Sequence, residues 1–234
     1  MHYFPVTAPA LLGLALLFAI VAGFMAARVL SFASASMGLA STTMMGVLLA
    51  SLLGSYINIP IAYLPEQHMV AREVVTYFGI PYVVPVTRSA PATVLAINVG
   101  GALIPICMSL YLMVRNQLYS LSLWGIAVVA LACHLLATPI PGLGIAEPIF
   151  VPCVVTTVMA LTLSRRHAGA LAYICGSLGT LIGADLTNLG KIRGLGAPVA
   201  SIGGAGTFDG IFLIGLLSVV YAGWFAAREA RRAS

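Results

Sequence analysis

Seven mostly apolar runs of about twenty residues succeed one another along this chain, and few folds other than a membrane bundle can accept them. A helix rising ~1.5 Å per residue needs roughly 20 such residues to cross a hydrocarbon core of ~30 Å. The runs cover residues 9–30, 37–64, 91–114, 121–138, 145–163, 168–189 and 205–227. They are continuously apolar, whereas the strands of a membrane barrel alternate apolar with polar residues in short segments. In hydrocarbon every backbone polar group must find a partner inside the protein, and a helix does this within each run. The expected fold is therefore all-α: a polytopic transmembrane helical bundle of about seven spans, with residues 1–234 forming a single transmembrane domain.

Composition agrees. Hydrophobic residues make up 61% of the 234 and charged residues 7%, against about 25% charged in a soluble domain. So few charges could not cover a water-facing surface, and the lipid bilayer is the partner that every span implies. The formal net charge is +5, but the basic residues are scattered through connections and the tail (Arg228, Arg231, Arg232), where they meet headgroups. Nucleic acid is not an expected partner. Cys107, Cys133, Cys153 and Cys175 lie in apolar runs without CxxC or Cys/His spacing. They read as buried thiols rather than disulfides or zinc ligands. The nine methionines show no MxxM-type cluster and read as core filling. No metal and no cofactor are expected. The first run lacks a basic n-region and a small-residue cleavage site, and is read as a retained span.

Two connections are longer than the rest. Residues 65–90 hold Glu66, His68, Arg72 and Glu73 before the Pro-rich GIPYVVPV, and a short interfacial helix is expected in the middle. Residues 190–204 are Gly-rich and hold Lys191 and Arg193. Odd-numbered connections and the tail carry Arg28, Arg115, Arg165, Arg166, Arg228, Arg231 and Arg232. The other set carries Arg72, Arg88, Lys191 and Arg193. This bias puts the N-terminus outside and the C-terminus in the cytoplasm.

Acids inside a span are functional-site candidates by default, because a charge at that depth is costly. Glu147, Asp185 and Asp209 are the acids within the apolar runs. Asp185 lies about five residues before the end of the sixth run and Asp209 about five residues into the seventh. At ~1.5 Å per residue both sit roughly 7 Å inside the same membrane face. Asn58, Asn98, His134, Glu147 and Asn188 fall on that same side, so a one-sided polar cavity is expected. Each has a structural alternative. Asn58 precedes Pro60 and could end a helix, His134 could be a satisfied core histidine, and Glu147 before Pro148 could start a helix. Glycines in GSLGTLIGAD and SIGGAGTFDG, including Gly206, surround the two aspartates and permit close helix approach or irregular backbone. SIGGAG lacks the Lys-Ser/Thr ending of a phosphate-binding loop.

The blocks LLGSYINIPI, AINVGGALIPI, PIPGLGIAEP, LAYICGSLGTLIGADLTNL and SIGGAGTFDGIFL together resemble the domain-of-unknown-function 1614 family of polytopic prokaryotic membrane proteins. That resemblance implies a membrane location and assigns no activity. Locally, Gly206-Thr207-Phe208-Asp209 followed by GIFL resembles the Gly-x-Gly-Asp motif of intramembrane aspartyl proteases of the presenilin and prepilin-peptidase type, with Asp185 as the partner. The spacing departs from that motif, and no Pro-Ala-Leu segment follows.

Three functions fit these residues. In a peptidase, Asp185 and Asp209 would share a proton, one activating water while the other polarises the carbonyl. In a cation- or proton-coupled transporter or channel, the same acids would bind the ion, with Asn58, Asn98 and Glu147 adding oxygens. In a non-catalytic subunit, the bundle would serve a membrane-protein partner or a second copy of itself.

Overall fold

The computed structural model of the chain describes residues 8–65, 67–77, 80–90, 92–140, 144–192, 199–204 and 210–233. It is mostly helical, with a minor strand component that the apolar pattern concealed. Helix α1 (Ala8–Ser36) is followed by α2 (Ser41–Gly54) and by four strands, β1 (Asn58–Leu64), β2 (Gln67–Tyr77), β3 (Ile80–Ala90) and β4 (Thr93–Asn98). A π-helical segment, Val99–Leu103, leads into α3 (Ile104–Asn116) and then α4 (Tyr119–Leu136). A small hairpin of β5 (Thr138–Ile140) and β6 (Gly144–Ala146) precedes α5 (Phe150–Leu163). Helix α6 (Ala168–Thr180) runs on through a second π-helical segment, Leu181–Asp185, a 3-10 turn, Leu186–Asn188, and the short α7 (Leu189–Ile192). Strand β7 (Val199–Ile202) and helix α8 (Gly210–Ala233) follow.

Among the described residues, five helical stretches are long and apolar enough to cross a membrane: Leu11–Ser36, Val99–Asn116, Tyr119–Leu136, Ala168–Ile192 and Ile211–Glu229. The apolar helices Ser41–Gly54 and Phe150–Leu163 are shorter, at 14 residues each, or ~21 Å. The chain thus has the spans of an integral membrane protein, but two of the seven expected crossings are not full-length helices.

Two corrections concern the second and third runs. The helix read over 37–64 stops at Gly54, and the one read over 91–114 begins only at Val99. Between them, β1 pairs antiparallel with β4, Asn58 opposite Asn98 and Leu64 opposite Thr93. Ile57, Ile59, Ile61, Val94 and Ile97 crowd these segments with β-branched side chains that favour a pleated backbone. Pro60 fits because β1 is an edge strand with a register shift between Pro60 and Ala62. Strand β7 completes a three-stranded sheet by pairing parallel with β4. The interfacial helix expected within 65–90 is instead a ribbon, β2 paired antiparallel with β3 from Gln67 opposite Ala90 to Tyr77 opposite Ile80.

Helix α6 is the axis of the bundle. All of its residues except Leu178 are buried, and it packs against α3, α4, α5 and α8. The main core gathers Leu30, Met44, Met108, Leu112, Leu171, Tyr173, Ile174, Phe212 and Val219. A second cluster, Ala102, Leu181, Ile202 and Ile211, joins both π-helical segments to β7 and the start of α8. Bundle and sheet therefore meet where the polar residues gather.

Candidate functional site

The site has two parts that share the sheet. At the base of the ribbon, Asn98 is fully buried. Its Nδ2 donates to the Ser55 carbonyl (2.7 Å) and to Asn58 Oδ1 (3.0 Å), while its Oδ1 accepts from the Gly101 N–H (2.7 Å) and caps the first π-helical segment. Ser201 Oγ on β7 also donates to Asn58 Oδ1, at 2.6 Å. Asn58 and Asn98 therefore tie the three strands to the helix start, and protein donors already occupy their side-chain oxygens.

The second part lies where α6 loses its regular winding. A π-helical segment adds a residue to the turn and is frequent at functional sites. Here it carries Asp185, half-buried, whose Oδ2 accepts from the Gly203 N–H at 2.7 Å. Gly203 sits at φ +88°, and a Cβ there would lie 2.6 Å from the Ala102 backbone nitrogen. Both constraints require glycine, so the donor that holds Asp185 is fixed by backbone shape. Asn188, one turn on, is buried. Its Nδ2 donates to the carbonyls of Gly183 and Ala184, both at 2.9 Å, and its Oδ1 is buried with no hydrogen-bond partner.

Helix α4 and the β5–β6 hairpin bring the remaining groups. Thr187 Oγ1 donates its one proton to the Gly183 carbonyl (2.6 Å) and lies 2.7 Å from His134 Nδ1. His134 must therefore be the donor of that bond, which leaves its Nε2 as an acceptor when the ring is neutral. Cys133, one residue earlier, faces the Thr180 hydroxyl (3.6 Å) and the Glu147 carboxyl. Glu147 follows β6 directly and precedes α5. Its Oε1 is buried without a hydrogen-bond partner.

The structure thus gathers His134, Glu147, Asp185 and Asn188 at one end of α6, and sets Asn58 and Asn98 beside them in the sheet. Asp209 and Gly206 lie outside the described residues. Cys133, Thr187, Ser201 and Gly203 escaped the sequence reading. Thr187 had a local signal, standing between Asp185 and Asn188, and Gly203 had one in the Gly-Gly pair of SIGGAG. Among the described residues no group of three or more His, Cys, Asp or Glu has metal-holding geometry.

A family profile described as protein of unknown function, DUF1614, matches residues 52–221. The chain belongs to the DUF1614 family. The matched stretch begins in α2 and ends in α8, so it takes in the sheet, both π-helical segments and every described residue of the polar centre. No curated protein and no solved structure matches the chain.

Proposed function

We propose that this DUF1614 protein is a cation- or proton-coupled membrane transporter or channel whose ion-binding centre is built on Asp185 and Glu147. The observation that carries this reading is the buried Oε1 of Glu147, which has no hydrogen-bond partner. A buried acceptor without a partner is costly, and ionising that carboxyl adds the cost of an unpaired buried charge. A proton or a small cation removes both penalties at once. The unpartnered Oδ1 of Asn188 offers a third oxygen, and His134 Nε2 offers a group able to pass a proton. The family resemblance supports a prokaryotic inner membrane, and the lysine and arginine bias supports an N-terminus outside, with the centre towards the outer face.

The test is flux in proteoliposomes. Purified protein should move protons or a monovalent cation down an imposed gradient, and Glu147→Gln and Asp185→Asn should each slow this at least about ten-fold while the protein stays folded. Absence of flux across several cations and pH values would sink the proposal.

A second reading keeps the aspartyl peptidase, with Asp185 and Asp209 as the acids. Its support is that Ile211, two residues after Asp209, shares a buried cluster with Leu181, four residues before Asp185. Cleavage of a transmembrane peptide substrate that either Asp→Asn variant abolishes, in liposomes showing no flux, would replace the transporter with this enzyme.

A further inference from the structure

We propose that the groove between α1 and α8 is a binding site for one anionic phospholipid, held at its headgroup by Arg28. Arg28, Val29 and Phe32 of α1 face Val220, Tyr221, Trp224 and Phe225 of α8 around a cavity of about 550 Å³. Six of those seven residues are apolar or aromatic, which suits an acyl chain, and the seventh is a guanidinium. Both helices are long and apolar enough to span, so the groove lies where lipid is the solvent. α1 is exposed from Leu11 to Val29 and joins the core only from Leu30 onward. It therefore stands away from the bundle above the point where it meets α8.

Charge selects the occupant. Arg28 lies over the Phe24 ring at 6.0 Å and Arg228 over the Trp224 ring at 5.3 Å. Neither has a carboxylate partner among the described residues, because Glu229, the nearest acid along α8, pairs with Arg165 at 2.9 Å. Arg28 lines the apolar slot, and Arg228 stacks on Trp224, one of its lining residues. A guanidinium at the slot matches a phosphate above its acyl chains, since guanidinium binds phosphate through paired N–H donors. Trp224 and Tyr221 are the residue types enriched at headgroup level, and basic pockets between spans bind acidic headgroups. A second copy of α1 would bring a further Arg28 into the same place, so like-charge repulsion disfavours a dimer at this groove. The assignment is independent of the polar centre at Asp185.

The experiment uses the full-length protein in detergent, offered equimolar phosphatidylglycerol and phosphatidylcholine with matched acyl chains and read by native mass spectrometry. The first bound lipid should be phosphatidylglycerol by about five-fold, the ratio expected from roughly 1 kcal/mol for the one basic residue that lines the groove. Arg28→Gln should erase that preference, and Val220→Trp, which fills the slot and keeps both charges, should lower occupancy by either lipid. Arg165→Gln should leave the preference unchanged. Equal binding of the two lipids, a preference that survives both Arg28→Gln and Val220→Trp, or a dimer carrying no lipid would overturn the proposal.

Discussion

At the scale of single residues, the polar centre sets buried oxygens without partners, on Glu147 and Asn188, beside a carboxylate that a backbone donor holds in place. Asp185 is aimed by one backbone N–H, that of Gly203, and this N–H points correctly only because residue 203 has φ +88°. Gly203→Ala should therefore cost about 1–3 kcal/mol in backbone strain alone, with more from the overlap at Ala102. It should lower the thermal midpoint of the detergent-solubilised protein clearly, whereas Gly190→Ala should leave the midpoint within error, because a Cβ at Gly190 meets nothing within 4 Å. Equal midpoints for the two variants would remove Gly203 from the account. The sequence singled out His134, Glu147, Asp185 and Asn188 by their position in apolar runs, while Asp209, its other acid, lies outside the described residues. The partners of those four were not legible. Cys133 read as a small buried hydrophobe, and nothing in its apolar run signals that it faces Glu147, since that contact depends on how the β5–β6 hairpin folds back.

At the scale of elements, the long helices could be read directly. α1, α4, α6 and α8 each sit on an uninterrupted apolar run, and only their ends moved. The runs over 37–64 and 91–114 misled because a short apolar, β-branched stretch is equally a buried strand, and periodicity alone cannot separate the two. What decides them is a close approach. A Cβ on Gly100 would overlap the Ser51 carbonyl oxygen and the Ser55 backbone nitrogen, while Ser51 Oγ donates to the Gly100 carbonyl. The end of α2 and the first π-helical segment are therefore in backbone contact, which neither run reveals alone. Gly100→Val should force them apart, pull Asn98 from the Ser55 carbonyl and destabilise the protein by at least about 2 kcal/mol. Denaturant unfolding in mixed micelles reads this, and Gly46→Ala, at an open position on α2, is the comparison.

At the scale of the whole molecule, lipid takes the place of water around the bundle. Leu12, Phe18, Leu123, Leu135 and Phe150 are each about 70% exposed or more, an outer surface that no soluble protein of this size would present. The chain's two tryptophans report on that surface, Trp124 at 70% and Trp224 at 49% exposed. In bilayers containing brominated acyl chains both should be quenched strongly, with Trp124→Phe and Trp224→Phe separating their contributions, and aqueous acrylamide should quench Trp124 weakly. Strong acrylamide quenching of Trp124 would mean that α4 faces water. The overall class was legible from composition because it rests on a sum over the chain, which local strand or helix errors barely change.

The ribbon also bears on how the chain reaches this arrangement. Ser51 and Gly100 are 49 residues apart, and closing so long a loop in one step carries an entropy cost that grows with the logarithm of its length. The strand pairs divide that search into small increments. Tyr77 can meet Ile80 first, and pairing then advances residue by residue to Gln67 opposite Ala90 and on to Asn58 opposite Asn98. Each closure is a local event of the microsecond kind. In the native register the strand pairs span most of that separation, so the end of α2 and the first π-helical segment are left only a short loop to close.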